Sequence, residues 1–476
     1  MDRMTLRGKK IAVLGVGEAG RSAARYLHRQ GAELICCDRK APENWPEDFR
    51  LWCEDNKIDV LWEKDLPETG TSGLDMAVVS PGIPPRSPMV RFFARQKVEV
   101  MGELALAASL WPGTLIGITG TNGKTTTTEL TSHILTVAGI PCVKAGNISP
   151  PLFDLLEDSA GTDMAVLEIS SFQLEYFPER WPAWLKRPHF HTAAVLNLAP
   201  DHLDRHGSME RYSLCKARIF RFQRGDDLAI LGPGTEKIQG NLPGKRLFLS
   251  LDDAEKTGAS WNPEMAELRV LCPGRFDQVF DLSGWKLYGR HNMENLAAAV
   301  MAALNSGAEP AAVQKAVETF SPPDYRLQKS ATFNGITFVN DSKATNVAAL
   351  IAALNAIEGD VTLIAGGRGK GEDLGALSCF LQKENGNRPA ARIKNAILIG
   401  EEAPRLKETL APFVEGCHIL VGRDGAETIK KAVQTAVTVS PPGFTVLLSP
   451  ACASFDMFSS YKERGKAFDM AVRELK

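Results

Sequence analysis

Residues 115–130, LIGITGTNGKTTTTEL, have the types and the order that a phosphate-binding loop needs. An apolar run ends in a glycine turn, and Gly123 is followed by Lys124 and by hydroxyl side chains from Thr125 to Thr128. In such loops backbone N–H groups cradle phosphates, the lysine supplies positive charge, and the next hydroxyl holds a magnesium ion. The usual pattern has a glycine where this chain has Ile118. The stretch predicts nucleotide binding, against the alternative of a glycine turn whose lysine faces solvent.

A second glycine turn, GVGEAG at residues 15–20, lies between a strand-like run and a helix pattern. Asp38 follows 18 residues after Gly20. This spacing is typical of dinucleotide binding, in which the turn and a helix N-terminus hold a pyrophosphate. Three interpretations remain open: NAD or FAD, another ligand with a nucleoside diphosphate, or glycines that only permit close packing. Together with the phosphate loop, the turn favours an ATP-driven reaction of a nucleotide-linked substrate.

Glu168 is an acidic residue inside the apolar strand-like run AVLEISS at residues 165–171. A buried carboxylate is costly unless it is paired or binds a metal ion. At the end of a strand beside the phosphate loop it is well placed to hold Mg²⁺. The alternative is a carboxylate satisfied by a buried hydrogen bond.

Residues 197–220 concentrate polar side chains after another predicted strand. With two upstream histidines, the group comprises His189, His191, Asp201, His202, Asp204, His206 and Lys216. The histidines make a zinc site conceivable, but no thiolate accompanies them and the strand context favours a hard-ion site. For Asp204 and His206 a solvated loop is expected. Lys216 lies on a predicted helix, where a solvent-facing lysine is the default and spacing assigns no role.

Three polar segments follow strand-like runs in the C-terminal third: NDSKATN (340–346), GGRGKG (366–371) and SPACASFD (449–456). The carboxyl ends of parallel strands form the sheet edge where ligands bind. Asp341 or Ser342 could equally cap the apolar helix that is predicted at residues 347–357. Cys452 is expected to be buried packing rather than a nucleophile. The basic glycine loop alone is a nonspecific sign of an anionic ligand.

The elements that must position these residues alternate between strands and helices, which predicts βαβ units and parallel sheets. Strand-like runs occupy residues 9–17, 32–38, 76–80, 165–171, 192–197, 228–232, 336–340, 361–365, 396–399, 418–421 and 445–448. Helix patterns occupy residues 22–30, 102–110, 292–304 and 311–320, and residues 246–288 are more β-like and rich in turns. The segment SPPD at 321–324 is the clearest linker. The predicted fold class is α/β with three domains: a Rossmann-like domain (1–102), a central ATPase-like domain with a mainly parallel sheet (103–322), and a Rossmann-like domain (323–476).

Length and composition limit the class of protein. A chain of 476 residues has room for about three domains. Its 55 basic and 57 acidic residues nearly balance, so the net charge does not indicate binding to nucleic acid or to a membrane surface. The sequence has no apolar run near the roughly 20 residues of a membrane span, and Glu18 interrupts the N-terminal run too early for a signal peptide. The nine cysteines have no C-x-x-C spacing, so reduced thiols in a cytoplasmic protein are expected.

Taken together, these segments resemble the Mur ligase family, ATP-dependent amide ligases of peptidoglycan precursor synthesis. The resemblance rests on TGTNGKTT, LEISSFQLE, DHLDRH, Lys216, GRHNMEN, DYRLQ, NDSKATN and SPACASFDMF, in this order over nearly the whole chain. The last two segments, with LEISSFQLE, are similar to the branch that adds D-glutamate. The resemblance implies ligation of D-glutamate to UDP-N-acetylmuramoyl-L-alanine through an acyl phosphate, with release of ADP and phosphate. It also implies ATP, two magnesium ions, and a cytoplasmic monomer without nucleic-acid or membrane partners.

The resemblance further implies roles for individual residues. For ATP they are Gly120, Thr121, Asn122, Gly123, Lys124, Thr125, Thr126, Asn292, Asn295, Arg326 and Asp341. For the UDP-linked substrate they are Gly15, Gly17, Gly20, Asp38, Arg39, Ser80, Gly82, Asn147 and His202. For D-glutamate they are Lys343, Thr345, Lys370, Ser454 and Tyr461. For magnesium they are Thr125, Glu168, His202 and Lys216, with Lys216 carbamylated, and the implied catalytic set is Lys124, Glu168, His202 and Lys216.

The chain departs from the family pattern at two positions. Tyr461 stands where phenylalanine is expected, and Arg368 stands where an acid can precede the lysine, so Arg368 is given no role.

Three other interpretations compete with the family resemblance: a folylpolyglutamate-type ligase of the same superfamily, an NAD-dependent oxidoreductase fused to an ATPase, and a non-catalytic UDP-sugar-binding protein. The diphosphate-type N-terminal domain argues against the first. The sequence offers no nicotinamide site beyond the glycine turn, which argues against the second. The intact catalytic set argues against the third.

Overall fold

The computed structural model describes residues 6–68, 73–157, 162, 164–238, 240, 242–252, 257–287, 289–321, 325–357, 359–369, 374–383, 391–422 and 424–475. The chain forms two compact units, one from residues 1–285 and 294–320 and the other from residues 286–293 and 321–476. Helices alternate with strands in three sheets, which are mainly parallel. The predicted α/β class is confirmed.

Five parallel strands form the N-terminal sheet of the first unit, in the order β3-β2-β1-β4-β5. The strands are β1 (Lys10–Leu14), β2 (Glu33–Asp38), β3 (Asp59–Trp62), β4 (Met76–Val79) and β5 (Glu99–Gly102). The helices are α1 (Glu18–Arg29), α2 (Glu47–Asp55), α3 (Pro88–Arg95) and α4 (Glu103–Leu110). The central strands β1 and β4 are apolar and almost wholly buried because helices cover both faces of a parallel sheet.

Nine strands form the second sheet of the same unit, in the order β14-β13-β12-β11-β10-β9-β6-β8-β7. They are β6 (Thr114–Thr119), β7 (Cys142–Gly146), β8 (Met164–Glu168), β9 (Phe190–Val195), β10 (Leu228–Leu231), β11 (Lys245–Phe248), β12 (Gly258–Asn262), β13 (Glu267–Cys272) and β14 (Phe276–Asp281). The helices are α5 (Lys124–Val137), α6 (Leu152–Leu155), α7 (Ser171–Glu175), α8 (Leu203–His206), α9 (Met209–Ala217), α10 (Arg290–Asn305) and α11 (Pro310–Thr319). The first four residues of α10, 290–293, belong to the second unit. Because β6 lies between β8 and β9, the loop after β6 is flanked by the ends of both neighbours.

One continuous core joins the two sheets of the first unit. The ring of Phe153 on α6 lies 5.3 Å from the ring of Tyr26 on α1. The hydroxyl of Ser22 donates to Asp154 at 2.5 Å. The predicted boundary at residue 102 therefore falls inside one packed body, and the three-domain boundaries remain predictions.

Six strands form the sheet of the second unit, in the order β15-β16-β20-β17-β18-β19, and only β15 runs antiparallel to its neighbour. They are β15 (Gln328–Phe333), β16 (Ile336–Asn340), β17 (Gly359–Gly366), β18 (Ala391–Ile399), β19 (Gly416–Leu420) and β20 (Thr445–Leu448). The helices are α12 (Val347–Ala356), α13 (Gly375–Lys383), α14 (Ala403–Leu410), α15 (Gly425–Val439) and α16 (Tyr461–Arg473). The adjacent strands β16, β20 and β17 end at one edge, so the three polar segments that follow them converge.

The structure corrects one predicted helix cap. The side chain of Asn346 accepts a hydrogen bond from the N–H of Ala349 at 2.7 Å and caps α12. Asp341 and Ser342 lie too early in the chain to do so, because α12 begins at Val347.

Among the helices in the described ranges, none combines the length and the apolar character that a membrane crossing needs.

Candidate active site

The phosphate loop connects β6 to the first turn of α5. Gly123 has a left-handed backbone with φ 83°, directly before Lys124 opens the helix. A Cβ atom at this position would lie 2.1 Å from Oδ1 of Asn295, so only glycine fits here. The first N–H groups of a helix have no partner within the helix, and the helix dipole makes this end positive. The local geometry is therefore that of an anion cradle.

Asn197, which the sequence analysis did not select, holds the phosphate loop in shape. Its Oδ1 accepts from the N–H of Asn122 at 2.8 Å, and its Nδ2 donates to the carbonyl of Asn122 at 3.2 Å. The hydroxyl of Thr121 lies 3.2 Å from the carbonyl oxygen of Ala199 and 3.1 Å from the hydroxyl of Tyr212. The sequence signal for Asn197 was a polar amide two residues after the end of the apolar strand β9.

Lys124 and Lys216 both reach the carbonyl oxygen of Gly120, at 3.0 and 2.8 Å from their Nζ atoms. Lys216 projects from α9, is 1% exposed, and also donates to the hydroxyl of Thr119. The default expectation of a solvent-facing lysine is wrong. Burial lowers the pKa of Lys216 well below its ordinary value, and the positive charge of Lys124 lowers it further.

Glu168 ends β8 beside β6 and is 3% exposed. Its Oε1 accepts from Nδ2 of Asn147 at 2.9 Å, and the N–H of Asn147 donates to the carbonyl of Glu168 at 2.8 Å. Its Oε2 is buried and has no hydrogen-bond partner in the described part of the chain. Leaving a carboxylate oxygen buried and unpaired is costly, so this oxygen is suited to a cation.

His202 lies at the start of α8 with a left-handed backbone, φ 52°. Its half-exposed ring is 4.6 Å from the ring of Phe172, and its Nε2 is 3.6 Å from Asp201. In the described ranges no three His, Cys, Asp or Glu side chains come together to hold a metal ion. The implied magnesium set also uses Lys216 and Thr125, and it remains a prediction.

The other histidines of this region have structural partners. His206 is buried between Ser171, 3.1 Å from its Nε2, and Glu175, 3.3 Å from its Nδ1, so the expected solvated loop is wrong for this residue. The side chain of Asp204 lies outside the described part of the structure. His189 and His191 both face the buried carboxylate of Asp227, at 2.6 and 3.5 Å, in place of the zinc site considered above.

The residues implied for ATP outside the loop occupy both units. In the first unit, Asn295 accepts a hydrogen bond from Thr127 of α5 at 3.2 Å, which places its amide at the loop. Thr125 and Thr126 are buried in the first turn of α5. In the second unit, Asn292 is buried near the start of α10, and its N–H donates to the carbonyl of Gly289.

A cavity of about 460 Å³ lies at the carboxyl edge of the N-terminal sheet. Six residues implied for the UDP-linked substrate line it: Gly15, Gly17, Asp38, Arg39, Ser80 and Gly82. Gly20 supports the turn from α1, because a Cβ there would lie 1.8 Å from the carbonyl oxygen of Gly15. Asp38 accepts a hydrogen bond from the N–H of Val16 at 2.9 Å, so part of its role is to shape the turn.

Asp341 is buried at the sheet edge of the second unit. Its Oδ2 accepts from the hydroxyl of Ser449 at 2.9 Å, and its Oδ1 accepts from the N–H of Leu327 at 3.3 Å. Burial raises the pKa of Asp341 to about 7, although these hydrogen bonds and the positive charge of Arg326 oppose the shift. Asp341 and Arg326, both implied for ATP, are therefore electrostatic neighbours.

Two residues implied for D-glutamate meet in the second unit. Nζ of Lys343 lies 5.3 Å from the ring centre of Tyr461, the first residue of α16. Thr345 is half-buried in the same connection as Lys343, and Ser454 is buried in the connection after β20. Lys370 lies outside the described residues. The structure thus brings Lys343 and Tyr461 together and leaves the position of Lys370 as a prediction.

Arg464 was not selected from the sequence, yet it joins the three polar segments. It is wholly buried, and its guanidinium donates to the hydroxyl of Ser342 at 3.1 Å and to the carbonyl of Ser342 at 2.9 Å. It also donates to the carbonyls of Cys452 at 3.1 Å and Gly366 at 3.4 Å. The sequence did contain a signal for Arg464. Its charge lies on the helix face that otherwise carries the buried residues Phe468, Ala471 and Val472.

Three family models match this chain in consecutive segments. The N-terminal domain of MurD-like Mur ligases matches residues 9–102. The Mur ligase middle domain matches residues 118–303, and the glutamate ligase domain of Mur ligases matches residues 325–452. Together they cover most of the chain.

Curated relatives match over nearly the full length. A UDP-N-acetylmuramoylalanine–D-glutamate ligase of Koribacter versatilis is 37% identical over 99% of both chains. An enzyme with the same name from Thermoanaerobacter pseudethanolicus is 34% identical over 99% of this chain and 100% of its own.

Solved structures share the fold at low sequence identity. MurF from Acinetobacter baumannii superposes with a TM-score of 0.57 and 17% identity, covering 100% of this chain and 92% of its own. MurF ligase from Thermotoga maritima in complex with ADP superposes with a TM-score of 0.55 and 16% identity, covering both chains fully. With three matching domain models and full-length relatives above 30% identity, this chain belongs to the Mur ligase family.

Proposed function

We propose that the protein is an ATP-dependent ligase that joins D-glutamate to UDP-N-acetylmuramoyl-L-alanine in peptidoglycan precursor synthesis. The observation that carries the proposal is the arrangement at Gly120, where two lysines meet beside a buried carboxylate with an unpaired oxygen. Such an arrangement suits the transfer of a phosphoryl group. The full-length relatives named for this ligation support the choice of substrates.

The phosphates of ATP would lie on the N–H groups of residues 120–126. Lys124 would turn from the carbonyls of Gly120 and Thr121, 3.0 and 2.8 Å away, to the phosphates. A phosphate offers stronger, charge-assisted hydrogen bonds than a carbonyl does. Asn295 lies against Gly123 and is placed to line the same ligand.

The donor set fits magnesium. The unpaired Oε2 of Glu168 is the oxygen that a hard cation would accept, and Thr125 supplies a hydroxyl in the first turn of α5. We assign the magnesium ions to Glu168 and Thr125, together with His202. The fourth ligand would be Lys216 in its carbamylated form. When bound, magnesium would neutralise charge on the phosphates and on the transferring phosphoryl group.

Lys216 is suited to carbamylation. Only a neutral amine attacks carbon dioxide, and burial with a neighbouring positive charge keeps Lys216 neutral more readily than an exposed lysine. The attack forms a nitrogen–carbon bond and releases one proton, so the product is an anionic carbamate. The modification replaces a repelling ammonium group with a group that a cation can bind.

Two further sites would present the other substrates. The cavity at Gly15, Asp38 and Ser80 would hold the uridine diphosphate, and Asn147 would reach the alanyl end. In the second unit, Lys343 and Ser454 would bind the carboxylates of D-glutamate, with Thr345, Lys370 and Tyr461 around it. The positive charge of Lys343 is the main attraction for a dicarboxylic amino acid.

The reaction needs no protein nucleophile. The terminal carboxylate of the alanyl group attacks the γ-phosphorus of ATP, the bond to ADP breaks, and an acyl phosphate forms. The amine of D-glutamate then attacks the acyl carbon and loses a proton, and phosphate leaves from the tetrahedral intermediate. Lys124 stabilises the charge that moves during both steps, while the two binding sites hold the reacting atoms in place.

Phosphate release from ATP tests the proposal. We expect release with UDP-N-acetylmuramoyl-L-alanine and D-glutamate, and little with L-glutamate. Lys124→Ala should abolish release, whereas Lys237→Ala, which removes an exposed lysine elsewhere, should leave it unchanged. A wild-type protein that releases no phosphate with the D isomer contradicts the proposal.

The remaining proposals concern the whole molecule. All nine cysteines are free, which suits a cytoplasmic protein, because reducing compartments keep thiols reduced. We propose that it acts there as a monomer with domains at residues 1–102, 103–322 and 323–476. Sedimentation at several protein concentrations tests the monomer, because a mass that rises with concentration would contradict it.

A further inference from the structure

Arg21 lies at the cavity of the N-terminal sheet, although the family resemblance gives it no role. It is the fourth residue of α1 and directly follows Gly20 of the glycine turn. It is half-buried and lines the cavity of about 460 Å³ that Gly15, Asp38 and Ser80 also line. A charged side chain at this position is close to any ligand that the turn holds.

The guanidinium of Arg21 turns back toward the start of its own helix. Its Nη1 donates to the carbonyl oxygen of Val16 at 2.9 Å, and Val16 lies between Gly15 and Gly17 in the turn. In the described ranges this carbonyl is the only hydrogen-bond partner of the Arg21 side chain. A guanidinium carries several N–H donors, so one contact anchors the group and leaves the rest uncommitted.

This position is electrostatically unfavourable for a cation unless an anion is present. The N-terminal end of a helix is the positive end of its dipole, and positive side chains are favoured at the opposite end. The structure nevertheless holds the charge of Arg21 against the turn that precedes α1. An anion at the turn would be attracted by the helix end and by the guanidinium together.

Two carboxylates line the same cavity, and other groups engage both of them. The two oxygens of Asp38 accept hydrogen bonds from backbone N–H groups, each at 2.9 Å. Glu18 accepts from the hydroxyl of Ser149 at 2.9 Å. Neither carboxylate forms an ion pair with Arg21 in the part of the chain that the structure describes. The charge of Arg21 is therefore not neutralised by the acids of the lining.

A third carboxylate near Arg21 has its own partner. Asp48 on α2 pairs with Arg25 at 2.9 Å, and the charge of Arg21 acts on it only from a longer distance. Among the described residues of the lining, the cations are Arg21, Arg39 and Lys40, against two acids. This excess of positive charge favours an anionic ligand.

From these contacts we propose that Arg21 binds the diphosphate of the UDP-linked substrate directly. The inference rests on the proposed function and adds a charged donor to the glycine turn. The carbonyl of Val16 holds the guanidinium beside the turn, and the uncommitted N–H groups donate to phosphate oxygens. Arg21 thereby contributes to the preference of the cavity for a nucleoside diphosphate over the uncharged nucleoside.

Calorimetric titration with UDP, without ATP or D-glutamate, tests the proposal. Arg21→Gln keeps a donor for the Val16 carbonyl but removes the charge, and we expect it to weaken UDP binding about tenfold or more. Arg21→Lys keeps the charge and should lose less affinity. Arg29→Ala is the matched control, because it removes an exposed arginine of the same helix outside the lining, and it should bind UDP as the wild type does. Arg21→Met, also uncharged, takes the place of Arg21→Gln should that variant not fold.

The salt dependence of these titrations separates a contact with the diphosphate from mere support of the turn. Salt screens a charged contact, so the UDP affinity of the wild-type protein should fall more steeply with sodium chloride than that of the uncharged variant. Equal affinities of these two proteins, or equal salt slopes, overturn the role of Arg21 and leave the proposed function standing. A wild-type protein that binds no UDP overturns both. Loss of UDP affinity in the uncharged variant, without phosphate release by the wild type, contradicts only the proposed function.

Discussion

Lys216 and Lys124 share one acceptor, the carbonyl oxygen of Gly120, which lies 2.8 Å from the first amine and 3.0 Å from the second. Burial lowers the pKa of Lys216 well below its ordinary value, and the nearby positive charge of Lys124 lowers it further. The fold thus keeps a reactive amine beside the phosphate loop.

Lys216→Ala should lose ligase activity, and a short carboxylate added to the buffer should restore part of it. The physical reason is that the proposed carbamate is an anionic oxygen ligand, which a small carboxylate can replace in the space that alanine leaves. Phosphate release with all three substrates measures the effect. Loss of activity that no carboxylate restores would contradict the carbamate.

Labelled bicarbonate allows the proposed carbamate at Lys216 to be detected directly. Wild-type protein equilibrated with ¹³C-bicarbonate should show one carbamate carbon signal, and Lys216→Ala should lack it. Lys237→Ala is the matched control, because it removes an exposed lysine from another part of the surface. A signal that persists in Lys216→Ala would show that another residue carries the modification.

Ser454→Ala should raise the KM for D-glutamate more than the KM for ATP. Ser454 is buried beside the converging polar segments of the second unit, where the amino acid is proposed to bind. Loss of one hydrogen bond to a charged ligand costs about 1.5–3 kcal/mol, or roughly 10-fold to 150-fold in affinity. Ser459→Ala removes an exposed hydroxyl from the same connection and should change neither constant. Equal changes in both KM values would remove Ser454 from the site.

Arg464→Lys should raise the KM for D-glutamate and lower the thermal stability of the second unit. A lysine keeps the charge, but it cannot serve Ser342, Gly366 and Cys452 together as the guanidinium fork does. Breaking a buried polar network of this kind costs about 3–5 kcal/mol. Steady-state kinetics and calorimetric unfolding measure the two effects. A variant with lower stability and an unchanged KM would show that Arg464 is only structural.

The stability of Glu103→Gln relative to the wild-type protein should increase as the pH rises. Burial raises the pKa of Glu103 to about 7, although the amide of Gln173 donates to it at 3.2 Å. Between the unfolded pKa of about 4.3 and this value the folded state holds the proton, so wild-type stability falls with rising pH by up to about 1.4 kcal/mol per pH unit. Denaturant unfolding from pH 5 to about 8 measures the slope. Glu99→Gln, at an exposed position, should keep the wild-type slope.

Much of the fold was predictable from local patterns, and the strands that were missed share one position in their sheets. The apolar strands at the centres of the sheets were predicted, whereas β3, β5, β7 and β15 were missed. Each of these four strands lies at the edge of its sheet. Edge strands are partly exposed, so they lack the continuous apolar run that marks a buried strand.

The residues of the candidate site also fall into two groups, those that a local sequence pattern reveals and those that it does not. Residues that follow predicted strands, such as Glu168 and Asp341, were recognisable because strand ends meet at one sheet edge. Asn197 and Arg464 act through contacts with segments distant in sequence, which no local pattern contains. Lys216 lay between these cases, because its burial depends on how α9 packs, and only the family resemblance gave it a role.

The network of Arg464 also constrains how the protein is made. Ser342 precedes Arg464 by 122 residues in the chain. A ribosome must therefore synthesise the connections after β16, β17 and β20 before the side chain that ties them together emerges. During translation the phosphate loop can fold long before the proposed amino-acid pocket is complete. The proposed amino-acid pocket therefore forms late, because its three segments wait for a side chain that is synthesised after all of them.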